Sequence, residues 1–310
     1  MDQEESLQLI HAAAQGGEIV SPNFRDLNLE GQTLKNLKVK GGTFQGSFQG
    51  TKFSRCFFEE VNCSGADFTE AELSGGHYAQ VNLTQAILQN TTVTDVEFLN
   101  LLLDGVQISR TIFLRSWFGG GISGKNISLQ NSFFLESTLD KLFLEDSSLD
   151  ATIFRQSQIG NVKLINTSAQ GIHLTMMRFL AFSGRSCNLE RANFQDSYLE
   201  GADFSGAFLK GAFFANTHLQ KAVFAKAQAP QAIFSGANLS YADLRELNAT
   251  ASDFSHATLQ EANLNGADFS LADLHRATLP HIHGANVASA RQTNPNRARA
   301  EDFVPFVRVK

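Results

Sequence analysis

The chain has 310 residues, 43% of them hydrophobic, and a formal net charge of −6. So apolar a composition excludes a disordered chain. So mild a negative charge excludes a general binder of nucleic acid or of anionic membranes. Phe is over-used, 27 against 3 Tyr and 1 Trp, so the fold selects for that ring in particular.

From Met1 to Gly17 there are acids at positions 2, 4 and 5 but neither a basic n-region nor an apolar run. No secretory signal is therefore expected, and no stretch is long and apolar enough to span a bilayer. Residues 3–15 predict a short amphipathic helix with Leu7, Ile10 and Ala14 on one side, a cap for the N-terminal end of the fold.

Next comes a period of five. Phe24, Leu29, Leu34, Val39 and Phe44 open it, and the phase slips by one residue before Phe48. A second run holds one phase from Phe48 through Phe68, Phe98 and Phe113 to Phe118. The phase shifts again across Gly119–Gly124, where glycines tolerate positive φ and a coil has room for an extra residue. From Leu129 to Leu279 every fifth residue is Leu, Phe or Ile, except Ala169, Gly184, Ala229 and Ala249. Two residues before each of these centres lies a small position. It is mostly Ala from Ala192 to Ala277 but coarsens upstream to Leu101, Val106, Leu142, Val162, Ile172, Met177 and Phe182. The shaft is therefore expected to be wider or distorted through the middle and cleaner from Asn188 onward.

A period of five fits neither an amphipathic helix, which needs 3.6, nor a simple strand, which needs 2. Two inward residues in five, separated by one outward residue, describe a short strand-like side followed by a turn.

Stretches such as Ala202-Asp203-Phe204-Ser205-Gly206 and Ala267-Asp268-Phe269-Ser270 show the pattern whole. This resembles the pentapeptide-repeat family, whose consensus is A-(D/N)-(L/F)-X-X, over about residues 22–284. The resemblance implies an all-β fold, a right-handed quadrilateral parallel β-helix with four pentapeptides per coil. It also implies about 13 coils, a rod roughly 60 Å long at ~4.8 Å per coil. The chain then divides into an N-terminal helical cap (1–20), the repeat solenoid (21–285) and a basic C-terminal segment (286–310). In that segment Phe303-Val304-Pro305-Phe306-Val307 is expected to fold back as a cap, with a docking tail as the alternative.

Chemistry is sparse. Cys56 and Cys187 fall at small inward positions and Cys63 at a centre, so all three read as buried, reduced thiols. The pair His281 and His283 has no adjoining Cys or carboxylate cluster, which weighs against a metal site. Asp67, Asp203, Asp243, Asp253, Asp268 and Asp273 stand where Asp bonds nearby backbone at a turn. Gly119–Gly124 lacks the Lys-Ser/Thr and the helix that a phosphate loop needs. No catalytic residue, cofactor or metal is expected.

Function must then lie on the outside. Outward positions are mostly polar, except from about Leu99 to Phe143. If the coil at Gly121 holds an extra residue, Ile112 stacks under Phe133, Leu114 stacks under Leu135, and Ile153 extends the first column. Trp117 and Phe143 are expected on neighbouring sides. An apolar patch of this kind marks a partner site, so Ile112, Leu114, Trp117, Phe133, Leu135 and Phe143 are the candidate protein-binding residues. The expected function is a non-catalytic bacterial scaffold or adaptor, an accessory or effector of a type VI-like secretion system. It would be cytoplasmic, binding a protein through the outer faces or the tail, with a homodimer through an end coil as a further expectation. The alternative is a DNA-mimicking inhibitor of DNA gyrase or topoisomerase IV, as the quinolone-resistance members of the family imply. Against it stand the modest charge and the basic, Pro-interrupted tail. Direct nucleic-acid or membrane binding is not expected.

Overall fold

The computed structural model describes residues 3–15, 17–279, 284–287 and 289–302. The His281/His283 pair and the segment Phe303–Val307 lie outside the described residues.

The chain winds as a parallel β-solenoid in which each coil pairs with the one before, twenty residues earlier, side by side around four faces. We number the faces by one coil. Face 1 holds Ile112–Leu114, face 2 Trp117–Gly119 and face 3 Ile122–Lys125, and face 4 passes through Ser128. On face 2 the ladder of paired residues runs Glu18, Lys38, Phe57, His77, Glu97, Trp117, Thr138, Gln158.

In the repeat from Asn188 onward each corner is a turn whose third residue takes positive φ, as at Arg191, Asp196, Gly201 and Gly206. The turn is closed by a bond such as Ala202 N–H to Leu199 C=O at 3.1 Å, while Gly201 N–H reaches the next coil at Gln220 C=O. Backbone donors are thus used at the corner as well as along the side. The Asp side chains complete the turns. Those of Asp67, Asp203, Asp243, Asp253, Asp268 and Asp273 each accept the N–H two residues on.

The interior explains the excess of Phe. Phe194, Phe214, Phe234 and Phe254 form one column with ring centroids 5.0, 4.9 and 4.6 Å apart and planes within 15°. That spacing is the ~4.8 Å strand repeat itself, so flat rings stack coil on coil without a void. Adjacent columns meet edge to face, as Phe204 and Phe214 do at 5.4 Å and 82°. Each buried ring contributes about 2–3 kcal/mol. Where a hydroxyl replaces the small Ala it stays bonded inside, as Thr217 Oγ1 does to Phe194 C=O at 3.0 Å.

Both phase slips are absorbed at single sides. At the first, Phe24 pairs with Phe44 twenty residues on but Leu27 pairs with Gly46 after nineteen, so the later coil has one residue fewer. Gly46 is required there, because a Cβ would lie 1.9 Å from Leu27 O. At the second, Phe118 pairs with Leu139, twenty-one residues on, whereas Ile122 pairs with Leu142, twenty on. The extra residue sits in Gly119–Gly121, and a Cβ on Gly121 would meet Lys141 O at 2.2 Å.

The middle is distorted in a specific way. On face 3 the small position holds Ile122, Leu142, Val162 and Phe182 in one column. Two of these are balanced by Gly at the centre two residues later, Gly124 and Gly184, so the usual small–large order is inverted. A Cβ on Gly184 would lie 3.1 Å from the Phe182 ring, which occupies the missing centre. Between these inversions both positions are large, Leu142 with Leu144 and Val162 with Leu164. There the corner opens, and Thr138–Glu145 and Gln158–Ile165 run through it as continuous eight-residue strands.

Both described ends are covered. Helix α1 (Gln3–Ala13) buries Ile10 and Ala13, with Leu7 partly buried against the core; Ala13 takes the place expected of Ala14. After Thr278 the chain still pairs, at Asn286 with Asp268 and at Arg291 with Asp273, before helix α2 (Pro295–Glu301). Asn294 caps α2 by accepting the N–H groups of Asn296 and Arg297.

Candidate functional site

The register that the sequence predicts around Gly121 is the one observed. Ile112 pairs with Phe133, Leu114 with Leu135, and Phe133 with Ile153. Ile112 is 39% and Phe133 37% exposed, while Leu114, Leu135 and Ile153 are half-buried. Together they form a flat apolar ridge on face 1, bounded by Thr92 and Thr94 toward the N-terminal end and by Arg155 and His173 toward the other. The corners beside it carry charge: Arg115 grips Asp95 with two bonds of 2.7 and 2.8 Å, which holds that carboxyl below its usual range.

The other two candidates do not join this ridge. Trp117 is on face 2, around the corner. Phe143 pairs with Ser123 on face 3, opposite the ridge in a four-sided rod, and lies under the Lys141 ammonium at 5.6 Å. The apolar set therefore spans three faces, and only Ile112, Leu114, Phe133 and Leu135 share one.

Trp117 sits in a built seat. Its ring overlies Gly119, where a Cβ would clash with the ring at 2.9 Å, and its Nε1–H points to Asp140 Oδ1 at 3.4 Å. Asp140 Oδ2 also accepts the Gly120 N–H at 2.9 Å, so one carboxylate pins both the indole and the glycine corner. Above Trp117 face 2 opens into a groove of about 730 Å³ floored by Thr138, Gln158 and Gly160 and walled by Met176, Arg178 and Leu180. No sequence signal marks this groove except the large residues Met177 and Phe179 behind its wall.

A third cluster lies at the C-terminal end. Glu301 Oε2 is 3.1 Å from His275 Nε2, 3.3 Å from His256 Nε2 and 3.4 Å from Arg276 Nε, and Oε1 accepts from Arg297 at 2.9 Å. Burial acts to raise the Glu301 carboxyl, but the bonds from His275 and Arg297 outweigh it and hold it below its ordinary value. Two imidazoles and a carboxylate invite a metal reading, but the chemistry fits a proton better. His275 Nδ1 accepts the Asn294 N–H at 3.1 Å, so Nε2 carries the proton and donates to Glu301. A metal on Nε2 would need Nδ1 protonated, facing that N–H, beside two guanidinium groups. This cluster fastens α2 to the last coils.

The thiols are inert. Burial pushes Cys56 up to about 11 and Cys63 up to about 12, far from the thiolate that reactivity requires. Among the described residues no helix is long and apolar enough to cross a membrane.

Coil, corner and tiered rings define the class, a four-sided parallel β-solenoid. A family model described as pentapeptide repeats (8 copies) matches residues 47–76 and, in overlapping segments, 187–224, 197–236, 217–255 and 252–282. Over those segments the chain is built of pentapeptide repeats. No curated protein matches it. Among solved structures it is similar to HetL, a pentapeptide-repeat protein involved in heterocyst differentiation regulation from the cyanobacterium Nostoc sp. strain PCC 7120. That likeness has 20% identity over 86% of this chain and 96% of HetL, with a TM-score of 0.27. It is similar to QnrB1, a plasmid-mediated fluoroquinolone resistance protein, at 15% identity over 93% of this chain and 99% of that one, with a TM-score of 0.22. It is also similar to a thylakoid-lumen pentapeptide-repeat protein of Arabidopsis thaliana, at 24% identity over 44% of this chain and 91% of that one, with a TM-score of 0.22. Likenesses this distant carry no conclusion about what this chain binds.

Proposed function

We propose that this protein is a non-catalytic scaffold that binds another protein through the face 1 ridge. The observation behind this reading is the contiguity of Ile112, Phe133 and Ile153 in one outward column, flanked by Leu114 and Leu135. Several other outward columns of neighbouring coils pair opposite charges, as Lys52 does with Glu72, Lys125 with Glu145 and Lys221 with Glu200. A rod in water gains nothing by exposing such a plate unless something covers it.

The same pairing weighs against DNA mimicry. A polyanion mimic needs an unbroken acidic stripe, because charge dominates affinity for partners that bind DNA. On face 1 the column instead reads Lys52, Glu72, Thr92, Ile112, Phe133, Ile153, His173, Asn193, Phe213.

The test is affinity capture from native lysate with wild type and with the double variant Phe133→Glu, Leu135→Glu, both checked by circular dichroism. Loss of a partner only in the folded double variant is the expected result. An unchanged set of partners would make the ridge structural, and capture of gyrase or topoisomerase IV by both would restore the mimic.

A further inference from the structure

We propose that the groove on face 2 is a second docking site, shaped for an extended segment of a partner that carries an acidic side chain between two apolar ones. It rests on the reading that the rod binds proteins by its outer surface, but it uses a different face from the ridge.

The groove exists because the coil above it does not fit. The face 2 ladder runs to Gln158 and resumes from Arg178 through Tyr198, His218, Asn238 and Thr258 to Thr278. Across the gap, Leu180 N–H still bonds Gly160 C=O at 2.9 Å, so the coils stay joined at one corner while the wall leans out. The cause is inside: Met177 fills a position that Ser197, Thr217, Ala237 and Ala257 fill in the coils that follow, and Phe179 is left only half-buried.

What the wall presents is specific. Met176 is 79% and Leu180 80% exposed, and Arg178 lies between them. The three point outward while Met177 and Phe179 point in. Arg178 is stacked in place, its guanidinium 4.0 Å from the Tyr198 ring, which in turn stacks on His218 at 4.2 Å and 5°. Among the described residues Arg178 has no carboxylate partner. A pinned cation with its N–H groups free, between two apolar side chains, complements a carboxylate flanked by apolar groups.

The floor decides the shape of the occupant. Thr138 and Gln158 offer a hydroxyl and an amide, which suit the backbone of an extended chain, and at the far side the Asp140 carboxylate is already occupied by Trp117 Nε1–H and Gly120 N–H. Three coil steps separate the Trp117 and Arg178 strands, roughly 14 Å, so a helix of about 10–12 Å would fit. It would, however, set its apolar face on polar groups. An extended segment sends alternate side chains to the two walls and meets Met176, Arg178 and Leu180 at matching spacing.

Trp117, the chain's one tryptophan, borders the groove and reports on it. The experiment titrates acetyl-Leu-Ser-Glu-Ser-Leu-amide, and the same peptide with Lys for Glu, against the full chain and Arg178→Glu. Trp117 emission and the anisotropy of a fluorescein label on the peptide are followed. The expected result is saturable binding of the Glu peptide, about tenfold weaker binding of the Lys peptide, and the reverse preference in Arg178→Glu. A folding defect cannot produce a reversed preference. Equal binding of both peptides, binding of neither, or a preference unmoved by Arg178→Glu overturns the proposal. So does a neutral oligosaccharide that saturates the signal where neither peptide does. If the charge swap fails while Phe133→Glu, Leu135→Glu still loses its partner, the groove falls and the ridge stands; the opposite pair of results removes the ridge and keeps the groove.

Discussion

The coils from Asn188 to Leu279 and those from Leu99 to Gly184 are built on one plan with different tolerances. In the first region small and large inward residues alternate with few exceptions, Ala202 with Phe204 and Ala212 with Phe214, Leu247 with Ala249 being the one inverted pair, and the rings tier with little variation. In the second the small position is filled by Ile122, Leu142, Val162, Met177 and Phe182, and the backbone gives way. Corners straighten, one ladder parts, and grooves appear at Gly124 and at Gly160. Regularity produces a rod with even faces, mostly polar but with single apolar residues such as Phe208 and Leu271 exposed. Irregularity produces relief, and both candidate surfaces, ridge and groove, lie where the relief is.

The strongest way to break this contrast is to damage the regular half. Phe214→Ala removes a ring stacked above and below at 5.0 and 4.9 Å, with no slack to collapse into. Urea unfolding should show a loss of about 3–5 kcal/mol. A loss below about 1 kcal/mol would mean that the tiers are not tightly packed.

A sharper test repairs the irregular half. Phe182→Ala leaves a hole and Gly184→Leu overfills a shaft that Phe182 already occupies, so each alone should destabilise. Made together they restore the regular order, and the double variant should recover about 1–3 kcal/mol relative to the sum of the singles. Additive losses would show that Phe182 and Gly184 do not exchange space.

The smallest effect expected is at the C-terminal end. The Glu301 carboxyl is held below its ordinary value, so its contribution is complete above the ordinary carboxylate pKa. That contribution is lost as pH falls through the lowered value in the folded chain. Amide protection factors, observed exchange corrected for the intrinsic rate at each pH, should therefore fall at Asn286 and Arg291 on acidification and in Glu301→Gln, with those near Phe224 unchanged. An equal fall in protection throughout would argue that α2 is not a local fastening.

Much of this was legible in the sequence because a β-solenoid turns period directly into place. The five-residue period marked short strand-like sides joined by turns, the resemblance to pentapeptide repeats implied the four-sided coil, and counting through Gly119–Gly121 put Ile112 under Phe133. The count also puts Phe143 two sides on from the ridge, since every fifth residue turns one corner, so its separation was implied by the period though not anticipated. Other features needed three dimensions. Phe182 and Gly184 were each out of pattern in the sequence, but that one ring fills the other's place is seen only from the packing. The groove depends on how far Met177 pushes its strand. The Glu301 cluster joins residues 256, 275, 276 and 297 across the end of the periodic region, where spacing no longer predicts position.

Because each coil repeats the one below after twenty residues, length and orientation are independent in this molecule. Excising Ala207 to Lys226 would shorten the rod by one ~4.8 Å graduation and leave every face pointing as before. The distance from ridge to either end is thus set in whole steps, like marks on a ruler. A partner that grips both ridge and end could be matched or mismatched by adding or removing coils, with no change to either contact.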